Sequence, residues 1–212
     1  AVIMTRTEPN TQFNIGFEDL RTFRLNVLKK VRPLPLQVVL TSKGDLDLSV
    51  PKYTGENLET LIVTTAVGFK KLIQNVTTYV KGDKLSQDEV LKKLVAMNNT
   101  RIKVLEANED GGVDIPVFCK YMRVEEHIEY MACPVGSTLL AQFYKHKAID
   151  ETRFTYSGCI FGAMNSVGKQ RLHYLDKSVN YTVATHPLYT FKYVRIYGDH
   201  HVFMRGSWEY RH

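Results

Sequence analysis

Apolar residues recur at helical spacing through most of the first half of the chain and alternate with polar ones through most of the second. Phe17, Leu20, Phe23, Val27, Leu28 and Val31 predict a helix over about 17–31, closed by Pro33 and Pro35. Residues 1–15 are polar and read as an arm, so 1–31 forms an N-terminal arm and helix. LQVVLT, the turn SKGD with Gly44, and LDLSV read together as a hairpin over 36–50. A helical pair is expected over 54–97. Leu58, Leu61, Ile62, Val67, Phe69, Leu72, Ile73 and Val76 line its first helix, and the capping box Ser86–Glu89 opens its second.

After Asn99 the period changes. TRIKVLEA, the turn NEDGG and VDIPVFCKY read as strand, turn and strand, with Pro116 marking an edge or a bulge. Further strands are expected over 124–131, 152–162, 170–175, 179–184 and 188–197, and a short helix over 136–146. These elements predict one α+β domain over 1–212, in which a β-sandwich-like sheet part (100–212) packs on the N-terminal helical arm and the helical pair.

Composition narrows the class without naming a function. A chain that is 44% hydrophobic and 24% charged can bury a core. No segment has the length and apolarity of a membrane span, and the polar start AVIMTRTEPNTQ is too short and polar for a signal peptide, so a cytosolic or nuclear, non-secreted location is expected. Cys119, Cys133 and Cys159 are odd in number with no CxxC pair, which suits reduced thiols. The net charge of +6 is not concentrated in a basic run. Of 12 tyrosines, ten lie at Tyr121 or later, which places amphipathic rings on the sheet.

Candidate chemistry is sparse. Neither G-x-x-x-x-G-K-[ST] nor G-x-G-x-x-G occurs. His127-Ile-Glu129 followed by Cys133-Pro134 matches the H-x-E half of a zinc deaminase, but P-C-x-x-C is missing, and the two residues are expected on one face of a strand. His200 and His201 point to opposite faces if they share a strand. Cys119 and Cys159 fall in apolar strand segments, where burial keeps a thiol inert. No catalytic, metal or cofactor-binding residue is assigned. The C-terminal run alternates rings with cations. Phe191, Tyr193 and Arg195 are expected on one face of a strand, opposite Lys192, Val194 and Ile196.

The order strand, SKGD turn, strand, then YTGENLETLIVTTAVGFKKL resembles the hairpin and helix of cypovirus polyhedrins, and TRIKVLEANEDGGVDIP (100–116) is similar to another polyhedrin segment. The resemblance implies a trimer-forming β-sandwich that locks into a crystalline occlusion body around virus particles in the host cytoplasm, with no catalysis and no cofactor. Assembly contacts would then come from Phe17, Phe23, Tyr189, Tyr193, Tyr197 and Trp208. The alternative is a single-stranded RNA-binding module using Lys192, Arg195, Arg205 and Arg211 beside those rings. An active site built from scattered residues leaves no linear motif, so an enzyme stays open as a third class.

Overall fold

The computed structural model of the chain describes residues 2–4, 21–30, 32, 34–46, 59–79, 86, 88–89, 92, 99–157, 179–182, 184–199 and 201–210. The chain divides into two compact units, Ala1–Gly136 and Ser137–His212. No helix among the described residues is long and apolar enough to cross a membrane.

The first unit is built on a parallel sheet. Strands β1 (Val2–Met4), β2 (Gln37–Thr41), β3 (Thr60–Thr64) and β4 (Thr100–Val104) lie in the order β1-β2-β3-β4, and each neighbouring pair is parallel. Val39 pairs with Ile62, and Ile62 with Ile102. QVVLT and TLIVT are buried at every position. A strand covered on both faces has no polar side to show, so neither segment alternates. Leu72 of helix α1 (Ala66–Tyr79) is fully buried, as are Ile115, Phe118 and Met122 of helix α2 (Ile115–Val124) at helical spacing.

Helix α2 starts where its sequence allows. Asp114 Oδ1 accepts the Val117 amide at 2.9 Å, and Pro116 sits in the first turn, where a missing amide costs nothing. Asp114→Ala is expected to destabilise the first unit by about 1 kcal/mol. Its melting temperature should then fall by about 2–4 °C in a thermal scan.

The second unit holds helix α3 (Ser137–Lys145) and strands β5 (Glu151–Ser157), β6 (Leu188–Tyr197) and β7 (His201–Glu209) in an antiparallel sheet of order β5-β7-β6. Thr152 gathers its aromatic cluster: Trp208 Nε1 donates to Thr152 Oγ1, Tyr144 Oη lies 3.1 Å from that oxygen, and Tyr189 Oη donates to Thr152 O at 3.1 Å. The rings of Tyr144 and Trp208 meet edge to face at 5.4 Å.

The architecture corrects the sandwich. The strand expected to open the hairpin over 36–50 is β2, and its neighbours are the parallel strands β1 and β3 instead of an antiparallel return; residues 47–50 lie outside the described residues. Within 54–97 the expected first helix is a strand, β3, followed by α1: Leu61 and Ile62 belong to a continuous buried run whose residues also match helical spacing. The Ser86–Glu89 capping box does form, with the Ser86 amide donating to Glu89 Oε2 at 2.8 Å and the Glu89 amide to Ser86 Oγ at 3.3 Å. Of the arm, 2–4 is the sheet's first strand and 23–27 a short π-helical turn. VDIPVFCKY is the start of α2 rather than a strand, and 127–130 has no regular structure. The strand expected over 170–175 lies outside the described residues.

Candidate functional site

A parallel sheet gathers along its carboxyl edge the loops and helix starts that follow its strands, where outward backbone N–H groups favour anions. In this chain β2 leads into loop 42–46 and β3 into α1. The two are fastened together. Thr65 Oγ1 donates to Ser42 O at 2.8 Å and accepts the Gly68 amide at 3.2 Å, while Thr41 Oγ1 accepts the Gly44 amide at 3.1 Å. Asn75 Nδ2 donates to Gly44 O at 3.4 Å and Leu46 O at 3.3 Å. Gly44 has φ +64°, and a Cβ on it would fall on the Gly68 carbonyl; a Cβ on Gly68 would lie 2.5 Å from Ser42 O and 2.9 Å from Gly44 N. Glycine is required at both positions, for close approach and, at Gly44, for the left-handed backbone as well.

Lys43 is exposed at the head of this loop. Ala66 and Val67, the first residues of α1, are exposed too, Val67 at 76%. First-turn amides have no acceptor within their own helix, and the loop that carries Lys43 is fastened to this helix start through Ser42 and Gly44. Beneath it, Thr64 Oγ1 is buried with no hydrogen-bond partner among the described residues and lies under Gly68. Such a corner suits a phosphate.

At the opposite edge the charges are spent internally. Glu126, only 5% exposed, accepts Arg101 Nη1 at 2.8 Å, Arg101 Nη2 at 2.9 Å, Arg32 Nη2 at 3.1 Å and Tyr121 Oη at 2.7 Å. Glu59 accepts Arg32 Nε at 2.9 Å and Arg101 Nη2 at 2.7 Å. The Arg101 hydrogen bond holds the Glu126 carboxyl down to about 2, and Glu126 in turn raises the Arg101 guanidinium. Burial, aided by Glu126, pushes the Tyr121 phenol up to about 12. Perturbed groups mark functional sites only when their charge is available; here the carboxylate meets two guanidinium groups and a phenol, and the cluster is a clasp.

The residues singled out from the sequence lie elsewhere. Phe23 is exposed in the π-helical turn, and Phe17 and Arg211 fall outside the described residues. Tyr189 and Trp208 belong to the Thr152 cluster, where burial raises the Tyr189 phenol. Tyr193, Arg195 and Tyr197 are exposed on β6. A register shift between Phe191 and Tyr193 makes Lys192 a bulge residue, so Phe191, paired with Gly206, does not share a face with Tyr193, paired with Arg205. Lys192, Tyr193 and Arg205 line a cleft of about 570 Å³, in which Arg205 Nε donates to Glu151 at 2.7 Å. His127 has φ +54° and Glu129 pairs with Arg123, so the H-x-E pair is not on a strand face. Cys119 lies in α2 rather than a strand, and burial pushes the Cys133 thiol up to about 12; Cys159 and His200 lie outside the described residues.

No family model and no curated protein matches the chain. Among solved structures it is similar to Acinetobacter baumannii RibD, with TM-score 0.58 and 12% identity over 99% of this chain and 47% of that one. A pyrimidine reductase-like protein from Corynebacterium diphtheriae gives TM-score 0.59 and 12% identity, covering 99% and 75%. The fold is RibD-like. A third likeness is to the Thermotoga maritima diaminohydroxyphosphoribosylaminopyrimidine deaminase/5-amino-6-(5-phosphoribosylamino)uracil reductase, with TM-score 0.51 and 14% identity over 97% and 55%. At these identities the likeness is one of fold, a Rossmann-like α/β arrangement around a parallel sheet, and the chain spans about half the length of the RibD chain, 47%.

This fold overturns the polyhedrin resemblance. Among the described residues, the segments that carried the resemblance are two neighbouring parallel strands, β2 and β3, with the start of α1, and a strand, β4, leading to a helix cap, not parts of a sandwich. A virus-binding lattice of trimers and a viral inclusion in the host cytoplasm fall with it, and the single-stranded RNA module finds no support among the fold neighbours. The expectation of a protein without catalysis falls too, since proteins that share the fold are named as reductase and deaminase. Thr64, Thr65, Gly68 and Asn75 carry no linear motif: TTAVG falls inside the first helix expected within 54–97, and only the strand-to-helix break at Thr65 turns it into a helix start.

Proposed function

We propose that this chain is a reductase-type domain that holds a phosphate-bearing dinucleotide at loop 42–46 and the start of α1, and reduces a pyrimidine-type substrate. The observation that carries the reading is the corner at the carboxyl edge of a parallel sheet where the loop carrying the exposed Lys43 is fastened to the helix start at the exposed residues Ala66 and Val67. The fold neighbours support the choice of reaction. The Corynebacterium protein, covered for 75%, is named for a reductase alone, whereas the two-activity Thermotoga protein is covered for 55%. The deaminase half would need P-C-x-x-C beside H-x-E, and this chain has only His127-x-Glu129.

A nicotinamide dinucleotide, when bound, supplies the hydride; the protein's part is to bind and orient it. The residues present fit that part. Lys43 offers a point charge, Ala66 and Val67 offer backbone donors, and Gly44 and Gly68 let the loop lie against the helix start without a Cβ between them. NADPH titrated into the whole chain should bind saturably, followed by nicotinamide fluorescence. Lys43→Ala should weaken it about tenfold, the loss of one charge-assisted contact worth about 1.5 kcal/mol. Salt should shrink the difference, since the lysine is exposed. If neither NADPH nor NADH binds at millimolar concentration, the proposal is wrong.

A further inference from the structure

The loop that presents Lys43 is tied to β2 by the Thr41 Oγ1 bond and within itself by the Leu46 amide donating to Gly44 O at 3.0 Å, and it is fastened further by Thr65 and by α1. Those fastenings fall at Thr65, Gly68, Lys71 and Asn75, spaced by three, three and four residues, which is the spacing of one helical face. Each makes a different kind of contact. Thr65 donates to Ser42 O, Gly68 admits the Gly44 backbone, Lys71 Nζ stands 3.7 Å from Asp45, and Asn75 reaches two carbonyls.

Asn75 is the unexpected member. Asparagine is a poor helix former, and its side chain here is half-buried in the third turn of α1. Its amide spends donors on Gly44 O and Leu46 O, carbonyls of two buried residues at the left-handed turn, which no strand among the described residues serves. The Lys71–Asp45 pair is exposed on both sides and adds little.

The geometry points to a positioning device: Thr65, just before α1, with Gly68 and Asn75 on one face of α1, holds loop 42–46 in its binding shape before any ligand arrives, so that Lys43 is presented near the helix start for a dinucleotide phosphate. This rests on the nucleotide-site reading and deepens it. Asn75 and Thr65 touch no ligand; they act through the loop. A loop already ordered spares the ligand the entropy of ordering it, so loosening the fastening shows as weaker binding.

The test uses Asn75→Asp, which keeps the shape but replaces the donors with a carboxylate facing two carbonyls, and Thr65→Val, which removes the hydroxyl at constant volume. Two measurements are made on the full chain: NADPH affinity, and hydrogen exchange of the amides in 42–46. Both variants should bind NADPH about tenfold more weakly and exchange about tenfold faster in that loop, while the amides of β3 keep wild-type exchange. Lys43→Ala should weaken binding and leave loop exchange unchanged, a split that a general loss of structure does not produce. If Asn75→Asp and Thr65→Val bind NADPH as the wild type does, or their loop exchange matches wild type, the positioning role is overturned while the nucleotide site stands. If the wild type binds neither NADPH nor NADH, the nucleotide reading itself falls and takes this inference with it.

Discussion

Glu126→Ala should be among the most damaging single substitutions in the first unit, lowering its stability by about 3 kcal/mol. The carboxylate is nearly sealed from solvent and joins residue 32, β4 and the end of α2 through Arg32, Arg101 and Tyr121. Removing it leaves two guanidinium groups and a phenol without their acceptor. Because the arginines are about a third exposed, water relieves part of the loss, and the lower end of the range for broken buried pairs applies. A differential scan should show the transition about 6–12 °C lower. The same carboxylate sets an acid limit. Its value is about 2 in the folded chain against 4.5 in the unfolded reference. A depressed carboxylate contributes stability that is complete above 4.5 and is lost as pH falls through about 2, so acid unfolding should steepen in that window. Glu126→Gln should flatten it; an unchanged acid profile would show that the clasp contributes nothing. Tyr121 sets the alkaline counterpart: its phenol is raised from 10.0 to about 12, so its contribution holds below 10 and is lost as pH climbs through about 12.

Gly68→Ala should cost about 3 kcal/mol, at the upper end for overfilled sites, and should abolish dinucleotide binding along with loop order. The added methyl meets backbone, Ser42 O at 2.5 Å and Gly44 N at 2.9 Å, and the buried Thr64 hydroxyl, none of which is the loose end of a flexible side chain. Two other glycines separate the causes. Gly111 has φ +75° with nothing within 4 Å of its would-be Cβ, so Gly111→Ala meets backbone strain alone, about 1–2 kcal/mol. Gly44 combines a positive φ with a clash on the Gly68 carbonyl, and Gly44→Ala should be the worst of the three. Melting temperatures of the three variants check the order. Equal effects at Gly68 and Gly111 would refute the close approach of loop and helix.

The elements whose signal is local were legible in the chain itself. The capping box Ser86–Glu89, the strand over 37–41, the turn in NEDGG, the helix over 137–145 and the long strand over 188–197 are set by caps, turn residues and neighbours a few positions away. What failed was every reading that needed to know what covers a segment. TLIVT is apolar at successive positions because α/β sheets are covered on both faces, and such a run satisfies helical spacing as easily as strand spacing. VDIPVFCKY looked like a strand until Asp114 was seen to cap it and Pro116 to occupy a first turn. The direction of β2 was decided by its neighbours: a turn sequence such as SKGD serves a hairpin or a strand-to-helix crossover equally well, and only parallel pairing with β1 and β3 excludes the hairpin. The candidate site follows the same rule. Ser42 and Gly44, on either side of Lys43, lie more than twenty positions before Thr65 and Asn75, and their meeting is made by two parallel strands that place the loop after one beside the helix after the other. Local chemistry writes caps and turns into the chain, whereas the site depends on contacts between distant segments, and those are chosen by burial of the sheet between its layers.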